Sequence, residues 1–137
     1  MGQIGISSLQ IRPLKNYKKA FVIIIALLVA AIHFIIGPNY RGPFKGFLSG
    51  YLIDILLPFA LYFLFTLNLN QIKQKILICA GILTLAAVIE YLQYRGIGIF
   101  GSVFDAYDFL AYLTGVISAI VFDLKVLDKI VRKKQLA

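Results

Sequence analysis

The sequence has few charged residues, one histidine and one cysteine. Only 15% of its 137 residues are Asp, Glu, Lys or Arg, whereas about a quarter is usual for a globular domain. The lone Cys79 excludes an internal disulfide and leaves no second thiol for a zinc finger. Ser-His-Asp spacings, glycine-rich phosphate loops and nucleic-acid motifs are also missing, so no nucleic acid partner is expected. What is abundant is apolar: 61% of the chain, an excess that indicates a protein of the lipid bilayer.

Four apolar runs approach the roughly 20 residues that a membrane-spanning helix needs. Short segments rich in Gly, Pro, Asn or basic residues separate them, which predicts short connections between helices. The predicted spans cover residues 20–37, 47–67, 76–94 and 103–122, with basic tails at 1–19 and 123–137. We therefore expect an all-α fold in which a single domain forms a four-transmembrane-helix bundle.

Lys and Arg concentrate on one side of these four spans. Most of the 14 basic residues lie in the two tails and in the loop between the second and third spans, whereas Arg41, Lys45 and Arg95 lie on the other side. Cytoplasmic segments of membrane proteins carry such an excess. The bias predicts that both termini are cytoplasmic and that the basic tails attract anionic lipid of the inner leaflet.

Ionisable residues inside the spans gather toward the predicted outer ends. Such side chains cost about 2.5–3.5 kcal/mol each at the centre of a membrane, so they usually face the interior of a bundle. Pro58 cannot donate to the carbonyl of Asp54, which leaves the side chain and the carbonyl oxygen of Asp54 available at one level. The pattern predicts a polar pocket near the outer surface. Its candidate residues are Asp54, Glu90, Gln93, Arg95, Asp105 and Asp108.

Small residues follow one face of the fourth span. Ala111, Gly115 and Ala119 recur at every fourth position below Asp108. Small side chains at this spacing let a neighbouring helix backbone approach closely. We expect this face to be packed, and it is also the candidate surface for docking onto a larger membrane protein complex.

The segment 89–115, IEYLQYRGIGIFGSVFDAYDFLAYLTG, resembles the second half of the VanZ-like family of bacterial integral membrane proteins, named for a protein linked to teicoplanin resistance. The family pattern is Glu-x-x-Gln, a nearby Arg, and then Asp-x-x-Asp-x-x-Ala-Asn-x-x-Gly. The matching residues are Glu90, Gln93, Arg95, Asp105, Asp108, Ala111 and Gly115, with Tyr112 at the position of the family's Asn. The Asp-Lys-x-x-His pattern of the family's first half is incomplete, because Ile55 and Pro58 follow Asp54 where Lys and His are expected. The resemblance implies a setting in the bacterial inner membrane and cell envelope rather than a defined reaction.

These observations leave three functions open. The first is a binding site in the outer leaflet for a lipid headgroup, an envelope precursor or a cation. The second is an accessory structural subunit of a larger membrane complex, and the third is an enzyme acting on a lipid-linked substrate. The sequence assigns no catalytic residue, no metal site and no cofactor. The candidate ligand-binding residues are Asp54, Glu90, Gln93, Arg95, Asp105, Asp108 and Tyr112.

Several of these side chains also have a purely structural interpretation. Asp105 and Asp108 suit the N-terminus of a helix, where a carboxylate caps free N–H groups. Glu90 suits a hydrogen bond that holds the bundle together. His33 is expected to be a packing or interface residue rather than a metal ligand, and Tyr51 fits the aromatic belt at the outer membrane interface.

Overall fold

Four helices account for most of the residues that the computed structural model describes, which are 7–36, 40–98, 104–127 and 129. The helices are α1 (Ser7–Ile36), α2 (Lys45–Thr66), α3 (Ile72–Tyr94) and α4 (Asp108–Phe122), and α4 continues into a π-helical turn, Asp123–Leu127. No strand occurs in this described part. Each helix has a stretch long and apolar enough to cross a membrane. The all-α, four-helix prediction is therefore confirmed, and the chain fits a multi-pass membrane protein.

The helices differ from the predicted spans mainly at their ends. α1 begins at Ser7 rather than at residue 20, so the predicted first tail is largely helical. α4 begins at Asp108 rather than at 103, and the predicted second tail starts as the π-helical turn. Apolar runs mark the part of a helix that suits lipid, whereas backbone hydrogen bonding continues into polar residues of adequate helix propensity. The tail residues 1–6, 128 and 130–137 and the connecting residues 37–39 and 99–103 lie outside the described part.

Helix α2 lies at the centre of the bundle. It contacts each of the other three helices, and its contact with α4 is the most extensive. Much of the outer surface consists of exposed leucines and isoleucines, which is typical of a surface that faces lipid. The buried core is contributed by all four helices: Val22, Ile25, Val29, Tyr62, Phe63, Cys79, Ile82, Val116 and Ala119.

The small-residue face of α4 packs against α2. Ala111 and Ala119 are buried, and a Cβ atom added to Gly115 would collide with the backbone carbonyl oxygen of Ile55. The predicted close approach of a neighbouring backbone is confirmed. Because α2 covers this face within the chain, little of the predicted docking surface is exposed.

The middle of α1 and the end of α4 meet at one end of the bundle, here called the Lys75 end. Phe21 of α1 stacks on Phe122 of α4, with ring centroids 5.3 Å apart. Phe63 of α2 packs edge-on against Phe21 at 5.3 Å. Edge-to-face and stacked pairs of this kind add to the apolar burial of the rings. The aromatic group therefore joins α1, α2 and α4 at this end of the bundle.

A buried ion pair joins α3 to the end of α4 beside these rings. The Lys75 ammonium bonds to Asp123 Oδ2 at 2.5 Å, and the Tyr62 hydroxyl donates to the same oxygen at 2.7 Å. All three residues are buried. The sequence analysis placed Asp123 at the start of the second basic tail and did not predict its burial, which the opposite charge of Lys75 makes possible.

Gly115→Ala is expected to lower the unfolding temperature of the protein in detergent, because the new methyl group displaces the Ile55 backbone. Overpacking of this kind typically costs about 1–3 kcal/mol. Gly81→Ala is the matched control, since Gly81 lies within α3 with open space around it. That control should be neutral or more stable, by up to about 1 kcal/mol. Equal unfolding temperatures for Gly115→Ala and the wild type would contradict the close approach of α2 and α4.

Lys75→Met should destabilise the bundle strongly, because it leaves the Asp123 carboxylate buried without its counter-charge. Removal of one partner of a buried pair typically costs about 3–5 kcal/mol. The control is Lys73→Met, which changes an exposed lysine of the same helix and should leave the unfolding temperature nearly unchanged. The double variant Lys75→Met/Asp123→Asn should recover part of the loss. If Lys75→Met and Lys73→Met unfold at the same temperature, the ion pair does not stabilise the fold.

Candidate ligand-binding site

Three carboxylic acids from three helices converge at the opposite end of the bundle. Asp54 lies in α2, eight residues before Tyr62, which is about 12 Å along the helix axis. Glu90 lies near the end of α3, and Asp108 is the first residue of α4. Each of these carboxyl groups lies close enough to the other two to interact electrostatically. Asp54, Glu90 and Asp108 are called the acid cluster below.

Glu90 is the most deeply buried member of the acid cluster, with 1% of its surface exposed. Its Oε1 atom accepts a hydrogen bond of 3.0 Å from the Tyr112 hydroxyl. Its Oε2 atom has no hydrogen-bond partner among the described residues. Only one oxygen of this buried carboxyl group is therefore hydrogen-bonded within the described part.

A cavity of about 460 Å³ lies beside the acid cluster, and all four helices contribute to its wall. Part of the wall is polar: His33, Ser49, Asp54, Gln93, Asp108 and Tyr112. The rest is mostly apolar and includes Leu57, Leu61, Ile82, Leu85 and Ala86. Leu57 and Leu85 are about half exposed, so the apolar part reaches the outer surface of the bundle between α2 and α3. The cavity thus combines an acidic region with an apolar region open to the side.

Asp105 lies at the margin of the acid cluster and is held by structural contacts. Its Oδ1 atom accepts the backbone N–H of Tyr107 at 2.9 Å, which fixes the turn leading into α4. Its Oδ2 atom accepts the Tyr51 hydroxyl at 2.8 Å. The capping interpretation of Asp105 describes the first contact. The sequence analysis missed the second, because no spacing rule relates residues so far apart in the chain.

Helix α3 ends immediately after the residues that it contributes to the site. Gly96 adopts a left-handed conformation with φ of 79°, and its N–H bonds to the carbonyl of Gln93 at 2.9 Å. A glycine with positive φ after the last helical turn is a common way to satisfy free carbonyl groups. The turn separates Gln93, which lines the cavity, from the loop that follows.

Arg95 does not neutralise the acid cluster. Its side chain is exposed, and its guanidinium lies 3.4 Å from the hydroxyl of Tyr91. In the part of the chain that the structure describes, the pair between Lys75 and Asp123 at the other end is the only ion pair. The acid cluster therefore has no basic side chain bound to it within that part.

The structure brings together most of the predicted site residues. Asp54, Gln93, Asp108 and Tyr112 line the cavity, Glu90 is joined to it through Tyr112, Asp105 lies at its margin, and Arg95 lies outside. His33 also lines the cavity, where the sequence predicted only a packing or interface role. No group of three or more His, Cys, Asp or Glu side chains in the described ranges is arranged to hold a metal ion.

Tyr112→Phe is expected to lower stability by about 1–3 kcal/mol, because removal of the hydroxyl leaves a second oxygen of the buried Glu90 without a donor. Thermal unfolding in detergent measures the loss. Tyr94→Phe removes a hydroxyl from an exposed ring of α3 and serves as the control, with no expected change. Identical unfolding of both variants would show that the bond from Tyr112 to Glu90 contributes nothing to stability.

No family model, curated protein or solved structure matches the chain. The resemblance of segment 89–115 to the VanZ-like family therefore stays a prediction. What the site can do is argued from its own geometry.

Proposed function

We propose that this chain is a VanZ-like protein of the bacterial inner membrane that binds a lipid-like molecule in its cavity. The observation that carries the proposal is the division of the cavity wall into an acidic region and an apolar region. A lipid has the same division between headgroup and hydrocarbon chain. In this arrangement the headgroup lies at the acid cluster, and the chain lies along Leu57, Leu61 and Leu85.

The distribution of basic residues supports an orientation for this site. With both termini cytoplasmic, the acid cluster belongs to the outer half of the membrane, where lipid headgroups and lipid-linked envelope precursors are found. The basic tails then lie at the inner leaflet, whose anionic lipids attract them. The resemblance to the VanZ-like family agrees with a role in the cell envelope.

Binding of a lipid-like molecule accounts for the cavity better than the other predicted functions do. The described residues contain no group of ligands suited to a metal ion. A metal ion alone would also not account for the apolar part of the cavity wall. The accessory-subunit alternative loses the docking face that motivated it, since α2 covers Gly115 and its neighbours. An enzyme acting on a lipid-linked substrate would need the same binding step, so binding is proposed here without a reaction.

Ala86→Leu tests the location of the site. Ala86 is buried and lines the cavity, so a larger side chain should fill part of it. We expect retained lipid to fall about tenfold in native mass spectrometry of protein extracted from vesicles of phosphatidylethanolamine and phosphatidylglycerol. Ala87→Leu is the matched control, because Ala87 adjoins Ala86 in α3 and is not among the lining residues.

The two variants must first be shown to unfold at similar temperatures, so that a difference in retained lipid reflects the cavity. Equal retention by Ala86→Leu and Ala87→Leu would place any bound lipid on the outer surface of the bundle. That result would overturn the proposed function.

A further inference from the structure

The acid cluster has more hydrogen-bond acceptors than donors. An ionised carboxylate accepts hydrogen bonds and donates none. The Tyr112 hydroxyl carries a single proton, which it donates to Oε1 of Glu90. That proton therefore serves one oxygen of one carboxyl group in the acid cluster.

The buried oxygen of Glu90 is a second and independent observation. Glu90 is 1% exposed, and its Oε2 atom has no hydrogen-bond partner among the described residues. Buried polar atoms nearly always have a partner, because an unpaired one costs free energy. The position of this atom, on a side chain bonded to the cavity-lining Tyr112 and close to Asp54 and Asp108, indicates that a donor is missing at the acid cluster.

Charge narrows the choice of that donor. Carboxylates held close together at membrane depth attract a cation strongly, because charges interact more strongly in a medium of low dielectric constant. Basic side chains do not supply it, since no Lys, Arg or His of the described part forms an ion pair with the acid cluster. The negative charge of the carboxylates would also repel a phosphate group.

We propose that the molecule bound in the cavity carries a primary ammonium group, and that this group binds at Asp54 and Asp108, the two members of the acid cluster that line the cavity. A primary ammonium has one positive charge and three N–H donors, so it can bond to both of these carboxyl groups and still donate to a third acceptor. A quaternary ammonium has the charge but no N–H donor. The inference rests on the proposed function, because the cavity has to admit the molecule whose headgroup carries the amine.

The test compares two phospholipids that differ at the nitrogen. Protein in nanodiscs that contain equal amounts of phosphatidylethanolamine and phosphatidylcholine is released into the gas phase, and the bound lipid is identified by mass. Both lipids have a phosphate and a cationic nitrogen, but only phosphatidylethanolamine has N–H donors. We expect it to be retained at least about tenfold more.

Asp54→Asn and Asp108→Asn should each abolish this preference. Both residues are only partly buried, so these variants are better suited to the test than a change of the fully buried Glu90. Lys73→Gln, an exposed change of one charge at the other end of the bundle, should retain the preference. Unfolding temperatures are compared for all three, and if one of the two Asn variants has lost its fold, the other carries the test.

Added ethanolamine distinguishes a lipid headgroup from a free amine. Displacement of phosphatidylethanolamine by millimolar ethanolamine supports the ammonium site, and ethanolamine bound without any retained phospholipid identifies a free amine as its source. Equal retention of the two phospholipids, lost in Ala86→Leu, would overturn the ammonium inference and leave the lipid-binding function standing. Retention that is the same in Ala86→Leu and Ala87→Leu would overturn the proposed function itself.

Discussion

The close contact of the α2 and α4 backbones at Gly115 and Ile55 is the constraint on which the candidate site depends. Asp54 precedes Ile55 by one residue, and Tyr112 precedes Gly115 by three, so the crossing of the two helices sets Asp54 and Tyr112 at nearly the same level. Asp108, one turn above Tyr112, reaches the same region. A side chain at position 115 would move α4 away from α2 and so separate Asp108 from Asp54. The site is therefore a product of helix packing rather than of a loop.

The carboxylates at the two ends of the bundle differ in their bonding partners. At the Lys75 end, Asp123 has a lysine and the Tyr62 hydroxyl as partners, so its charge and its hydrogen-bonding capacity are both engaged. At the other end three carboxyl groups lie near one another, Glu90 is bonded to Tyr112, and none of the three binds a basic side chain in the described part. The first arrangement is complete without a ligand, as expected for a group that fastens helices together. The second includes a carboxylate oxygen, Oε2 of Glu90, that has no hydrogen-bond donor among the described residues and lies near a cavity. This is expected of a place where another molecule binds.

Local patterns in the sequence predicted the helices, the packed face of α4 and the level of the acids. Run length identifies a spanning helix, and the spacing of Ala111, Gly115 and Ala119 is a property of one helix that needs no knowledge of its neighbour. Contacts between helices were harder to predict, because they depend on how far each helix is rotated about its axis. The bond from Tyr51 to Asp105 and the pair of Lys75 with Asp123 are of this kind.

The side opening of the cavity between α2 and α3 has a kinetic consequence. A molecule that already resides among the acyl chains can enter by diffusing in the plane of the membrane, without crossing the water boundary and without any rearrangement of the connecting loops. Occupancy then follows the mole fraction of that molecule within its own leaflet rather than its concentration in the surrounding solution. A protein that binds a lipid-like molecule as proposed would therefore respond to the composition of the bilayer even when the ligand is almost insoluble in water.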